Sequence, residues 1–197
     1  RAIKKLIYKT IGSKTIVTEY IVGELNKQLN NKVDINEIMK FVNATVSLYF
    51  PGVETESLIF DHQSEKIVFS NLYKINEQEA KILLEVATNL SGYGSKDILI
   101  YDEIKRKYED EQATEMGGFI DFMNRYELSS ILVLSQIVNI NGALFLSIKN
   151  HDVSYSSEDV HFIKGIINVM NVAIERAILY KNISEFNETL QSKVNDA

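Results

Sequence analysis

Residues 128–195 constrain the fold of this chain more than any other stretch. Two apolar runs lie between Leu128 and Lys149, and one unbroken helical pattern then extends from about Ser156 to Val194. Residues 130–138 are rich in Ile, Val and Leu, as expected of a strand buried on both faces. Asn141-Gly142 reads as the hairpin turn, because both residues tolerate positive φ. In the return strand, residues 143–149, Leu144, Leu146 and Ile148 alternate with Phe145, Ser147 and Lys149, so one face should be the more buried. A hairpin that feeds so long a helix couples a sheet to whatever lies at the far end of the helix.

That helix carries more apolar surface than one contact needs. Ser156 or Ser157 can cap it, with Glu158 and Asp159 in the first turn where the helix dipole favours acids. Val160, Ile163, Ile167, Met170, Ile174 and Ala177 form one stripe at helical spacing. A second, offset stripe is Phe162, Ile166, Val169, Ala173, Tyr180 and Ile183. One stripe can cover a sheet; the second requires another helix of the domain or another chain. Beyond Tyr180 the pattern thins to Ile183, Phe186, Leu190 and Val194, three or four residues apart among polar ones, which reads as a coiled-coil seam.

Composition limits what the chain can do. With 45% hydrophobic residues in 197 there is ample material for one core. A net charge of -6, with no basic face, disfavours nucleic acid and anionic membrane as partners. The chain has no Cys, which removes disulfides, thiolate metal or haem ligation and a thiol nucleophile, and is in keeping with a cytoplasmic location. No apolar run is long enough to span a bilayer, and there is no signal peptide. The chain opens on Arg1 and stops within a helical pattern, so a fragment of a longer protein is expected.

Upstream, residues 1–31 show a loose helical stripe that includes Ile3, Leu6, Ile7, Ile21 and Leu25, with a break expected at Gly12-Ser13. Asp34 with Glu37 suggests a capping box for a helix bearing Ile35, Ile38, Met39, Val42, Val46 and Tyr49, ended by Pro51-Gly52. Glu56–Asp61 and Lys66–Ser70 read as a hairpin. A helix from about Asn76 carries Ala80, Leu83, Leu84, Ala87 and Leu90 and stops at residues 91–95. Asp97–Tyr101 reads as a strand, residues 104–112 as a charged loop, and Thr114–Tyr126 as a helix with Phe119, Phe122, Met123 and Tyr126 inward. The layout is α+β: a mostly antiparallel sheet of about five to six strands, flanked by helices, with long N- and C-terminal helices.

This order of elements resembles the GAF domain, a sensory module of phosphodiesterases, cyclases and bacterial signalling proteins. The resemblance covers about residues 34–180. It rests on Ile98–Asp102, on the run from Phe119 through Ser135 to Asn141-Gly142, on Leu146–Asn150, and on Ser157 to Val160. The segment from Leu179 onward is similar to the linker helix that leads such sensors into an output domain of the kinase, cyclase or phosphatase type. Three parts follow: an N-terminal signalling and dimerisation helix over 1–33, a GAF-like domain over 34–180, and the start of a coiled-coil linker over 181–197.

The resemblance implies a homodimer through the first and last helices, with Ile21, Leu25, Ile166, Ile174, Ile178, Phe186 and Leu190 at its interface. It also implies a pocket for an unidentified small molecule on the other face of the sheet, lined by Tyr101, Asp102, Phe119, Phe122, Met123, Ser135 and Ser147. The bland alternative is that the aromatic residues and Met123 simply fill core. Asp102 also fits a residue that caps a loop start. Cyclic-nucleotide-binding members carry Asn-Lys, then Phe, then Asp-Glu; here Asn150 and Asp159 match, while His151, Tyr155 and Val160 replace the others. Covalent bilin attachment and the methionine-sulfoxide reductase chemistry of the family both need Cys, which is absent. Haem would have only His62, His151 or His161 as axial ligand, in predicted turns or a helix start. No metal-ligand spacing, P-loop, GxGxxG, nucleophile elbow or HExxH occurs, so no catalytic residue is assigned and the chain reads as non-enzymatic. The alternative function is a structural dimerisation module without a ligand.

Overall fold

The computed structural model describes residues 14–62, 64–90, 97–111, 114–137, 140–148 and 155–195. Outside them lie Ile3, Leu6, Ile7, the expected break at Gly12-Ser13, the stop at 91–95, and Asn150 and His151. In chain order the elements are α1 (Lys14–Leu29), α2 (Ile35–Tyr49), β1 (Val53–Asp61), β2 (Lys66–Asn71), α3 (Glu77–Leu90) and β3 (Ile98–Ile100). Then follow α4 (Tyr101–Glu111), α5 (Thr114–Arg125), β4 (Leu128–Ile137), β5 (Ile140–Ile148) and α6 (Ser157–Asn195).

The fold is α+β, a five-stranded sheet in the order β2-β1-β5-β4-β3 with every neighbouring pair antiparallel. Helices cover both faces. Helices α1, α2 and α6 pack on the face that carries Ile59, Leu132, Leu134, Leu144 and Leu146. Helices α3, α4 and α5 pack on the face that carries Leu58, Leu99, Ile131, Val133, Ala143 and Phe145. This three-layer arrangement explains why β4 reads as a continuous apolar run: successive side chains point to opposite faces, and both faces are core. It also corrects the expectation for β5. Phe145 is as buried as Leu144 and Leu146, because α3–α5 cover the face that should have been the more open one.

Two further expectations change. Asn141-Gly142 is not the turn. Both residues lie in β5, where Asn141 pairs with Phe60 and Gly142 with Ile59 and Leu134, and the chain reverses between the paired Ile137 and Ile140. Gly142 is explained by space rather than by backbone angle. A Cβ there would stand 2.7 Å from Leu134 Cδ1 and 3.1 Å from the Leu58 carbonyl oxygen. Residues 104–112 are not a loop either: through Glu111 they are helical, in α4. Tyr101, Ile104 and Tyr108 recur at i, i+3 and i+7 and pack against the α3–α5 core, a stripe too narrow to stand out among charged neighbours.

The remaining local signals behave as their chemistry requires. Asp34 caps α2 by accepting the Asn36 N–H at 2.8 Å, while Glu37 pairs with Lys32 at 2.7 Å rather than closing a capping box. Gly52, at φ +91°, takes the left-handed turn after α2. Asn76 caps α3 through the Glu79 N–H at 2.9 Å. Glu56 is buried on β1. One of its oxygens accepts the N–H groups of Tyr73, Lys74 and Ile75 at 2.9, 3.0 and 3.1 Å, which fixes the approach to α3.

Gly142→Ala is expected to destabilise the chain by about 1–3 kcal/mol, because Leu134 can shift but the Leu58 carbonyl cannot. Urea unfolding measures it; an unchanged midpoint would mean that the strands do not meet so closely.

Candidate functional site

The first half of α6 is rooted in the domain by four kinds of contact. A capping box opens it. The Ser156 N–H and hydroxyl donate to Asp159 Oδ2 at 3.0 and 2.8 Å, and the Asp159 N–H returns to Ser156 Oγ at 3.3 Å. Next, Phe162 stacks on Tyr49 with ring centroids 3.7 Å apart, and Phe50 stands edge-on to both Phe162 and Tyr155 at 5.6 Å. Tyr49 reaches on to α1 through a buried hydrogen bond with Thr18 at 3.2 Å.

The third contact joins the helix start to the sheet. A register shift in β4 between Leu128 and Ser130 lets the hydroxyls of both Ser129 and Ser130 meet the Tyr155 hydroxyl, at 2.7 and 3.0 Å. Burial raises the Tyr155 phenol above its usual range, and the two serine hydrogen bonds oppose that shift. The fourth contact is Arg176, whose Nη2 donates to the Leu29 carbonyl and, at 3.4 Å, to that of Lys32. The carbonyls at a helix C-terminus lack intrahelical partners and carry partial negative charge, so a guanidinium is well placed there. At Gly165, a Cβ would stand 2.9 Å from a Val22 methyl, so α1 and α6 run close together.

The second half of α6 touches none of this. Leu179, Tyr180, Ile183, Phe186, Leu190 and Val194 are all exposed, between 44% and 74%. From residue 179 to 195 the helix projects about 25 Å at 1.5 Å per residue. Leu179, Ile183, Phe186 and Leu190 follow 4-3-4 spacing, the seam of a two-stranded coil.

The residues expected at a dimer interface therefore divide. Ile21, Leu25, Ile166 and Ile174 are buried within the single chain, because the second stripe of α6 is taken up by α1 and α2. They are core, and the expectation that they face a second copy is corrected. Ile178 is half-buried at the boundary, and Phe186 and Leu190 are free on the projecting part. Tyr180 and Ile183, the last two residues of the second stripe, are exposed.

The residues expected to line a pocket take different positions among the described residues. Phe119 and Met123 are buried in the α3–α5 core, with Phe122 and Tyr101 half-buried at its margin. Asp102 is exposed in the first turn of α4 rather than capping a loop. Ser147 is buried on β5 beside Leu128, far along the strand from Gly142. Ser135 lies in β4 with its side chain outside the described residues. The space left between β3, α4 and α5 is about 20 Å³, room for a single water. Around this space the described side chains of Ile98, Leu99, Ile100, Ile104 and Met116 are buried.

An open cleft lies at the other end of the same layer, between α3 and the ends of β1 and β5. It measures about 310 Å³ and is floored by Phe60 and Leu84. Lys81 Nζ lies 5.0 Å from the Phe60 ring centroid, and His62 meets the same ring edge-on at 5.1 Å. The cleft was missed in the sequence because its residues come from three separated segments whose apolar pattern is that of ordinary core. Among the described residues, no group of His, Asp or Glu is gathered to hold a metal ion, and no helix is long and apolar enough to cross a membrane.

No protein-family model matches this sequence, and no curated protein matches it.

Arg176→Met keeps the aliphatic stem and removes the donors. It is expected to cost about 1–2 kcal/mol and to speed amide exchange in the last turn of α1. Exchange unchanged at Leu25–Leu29 would show that α6 does not hold α1.

Proposed function

We propose that this chain is a GAF-like regulatory module, non-catalytic, that pairs with a second copy of itself and relays a signal along α6 to an output domain. The observation that carries this reading is the division of α6: a root held by the sheet, α1 and α2, then a projecting, exposed apolar seam. A seam at 4-3-4 spacing is unstable alone in water and is stabilised by a matching seam. The α+β fold and the order of its elements are compatible with the family resemblance. The output domain would be of the kinase, cyclase or phosphatase type, and the setting cytoplasmic, as the absence of Cys suggests.

In this mechanism a small ligand in the α3–α5 layer shifts the sheet, and Tyr155, Phe162 and Arg176 transmit the shift to α6. A ligand moves such an equilibrium only by its differential affinity for the two states. A second reading, a structural dimerisation module without ligand, is favoured by the packed space around Phe119 and Met123. The open cleft beside Phe60 favours the first.

Light scattering on the purified chain tests the dimer. The wild type should give twice the monomer mass. Phe186→Lys with Leu190→Lys should give the monomer mass while the domain stays folded, since both side chains are exposed. A monomeric wild type, or a double variant of unaltered mass, would overturn the relay.

A further inference from the structure

We propose that the cleft between α3 and the ends of β1 and β5 binds a small zwitterion of the α-amino-acid class. This deepens the reading of the chain as a ligand-responsive module and rests on it. Residues 81, 84, 85, 88 and 89 of α3 face the cleft on successive turns, opposite Phe60 and Asn141, which are cross-strand partners on one face of the sheet. The site is thus built from two rigid elements. The buried carboxylate of Glu56 holds the loop that enters α3.

The chemistry of the lining selects the ligand. Lys81 offers a cation; among the described residues it lies over the Phe60 ring and makes an exposed pairing with Glu77 at 3.3 Å, which is worth little in water. Glu85 offers an anion one turn further on, about 6 Å along the helix axis. The side chains of Glu85, Asn89 and Asn141 make no hydrogen bond among the described residues, so all three can serve a guest. Phe60 and Leu84 supply an apolar floor for a side chain.

A guest with both charges a few bonds apart satisfies Lys81 and Glu85 together, with the two amides completing its hydrogen bonds. A phosphate ester would set its second negative charge against Glu85. A simple amine would leave Lys81 repelling it. The volume of about 310 Å³ is at the lower end for ligand sites and suits a molecule of amino-acid size.

The test is a melting screen of the full chain against the twenty L-α-amino acids at millimolar concentration, followed by calorimetry on any that raise the Tm. The expected result is saturable binding of at least one of them. Its N-acetyl derivative and its decarboxylated amine should each bind at least about tenfold more weakly, as should the same amino acid to Glu85→Gln or Asn141→Ala. Glu85 is exposed, so Glu85→Gln should melt like the wild type without ligand. No binding by any amino acid, equal binding of the N-acetyl derivative, or full binding to Glu85→Gln would each overturn the proposal. Light scattering on the same samples separates it from the relay: a monomer that binds overturns the relay alone, and a dimer that does not bind overturns the zwitterion site alone.

Discussion

Helix α6 can leave the domain as a single rod only because its first half is gripped on three sides. Phe162, Ile163, Ile166, Ile167, Met170 and Ile174 are buried between β4, α1 and α2. Burial of that many large aliphatic and aromatic side chains, at roughly 1.5–3 kcal/mol each, holds the first half of the helix to the domain. The polar contacts add direction rather than bulk. Ser156 and Asp159 fix where the helix starts, Tyr155 fixes it to the bulged start of β4, and Arg176 fixes it to the end of α1. β4 packs against α6 on one face and against α3, α4 and α5 on the other.

In the proposed relay the sheet would be the other half of the coupling. With helices on both faces it has no soft side, and close-packed interiors transmit displacement rather than absorb it. β5 sits between β1 and β4, so it links the cleft at Phe60 and Asn141 with the strand on which α6 rests. Gly142, next to Asn141, marks how tightly these strands approach. The path from cleft to exit helix runs from the Phe60–Asn141 pair along the length of the β4–β5 pair to the Ser129–Ser130–Tyr155 cluster at its other end.

Much of this was legible in the sequence, and the exceptions have physical causes. The long helix, the five strands and most caps follow from periodicity and from polar residues beside apolar runs. α4 escaped because one apolar residue per turn suffices for a helix that only edges a core. Asn141-Gly142 misled because the same dipeptide serves a turn or a close strand approach, and only the neighbouring Leu134 and Leu58 decide which. Ile21, Leu25, Ile166 and Ile174 were assigned outward because a two-striped helix looks alike whether its second partner is in the same chain or another. The cleft was invisible because His62, Glu85 and Asn141 come together only in three dimensions.

The absence of native Cys makes the central claim, that the projecting part of α6 pairs with its counterpart in register, directly measurable by disulfide trapping. Ile183→Cys and Leu190→Cys lie on the seam, and Ser192→Cys lies on the opposite side of the helix. The account predicts that each seam variant forms a covalent dimer under mild oxidation while Ser192→Cys stays monomeric on a denaturing gel. Crosslinking that is equal at all three positions, or absent at the two seam positions, would contradict it.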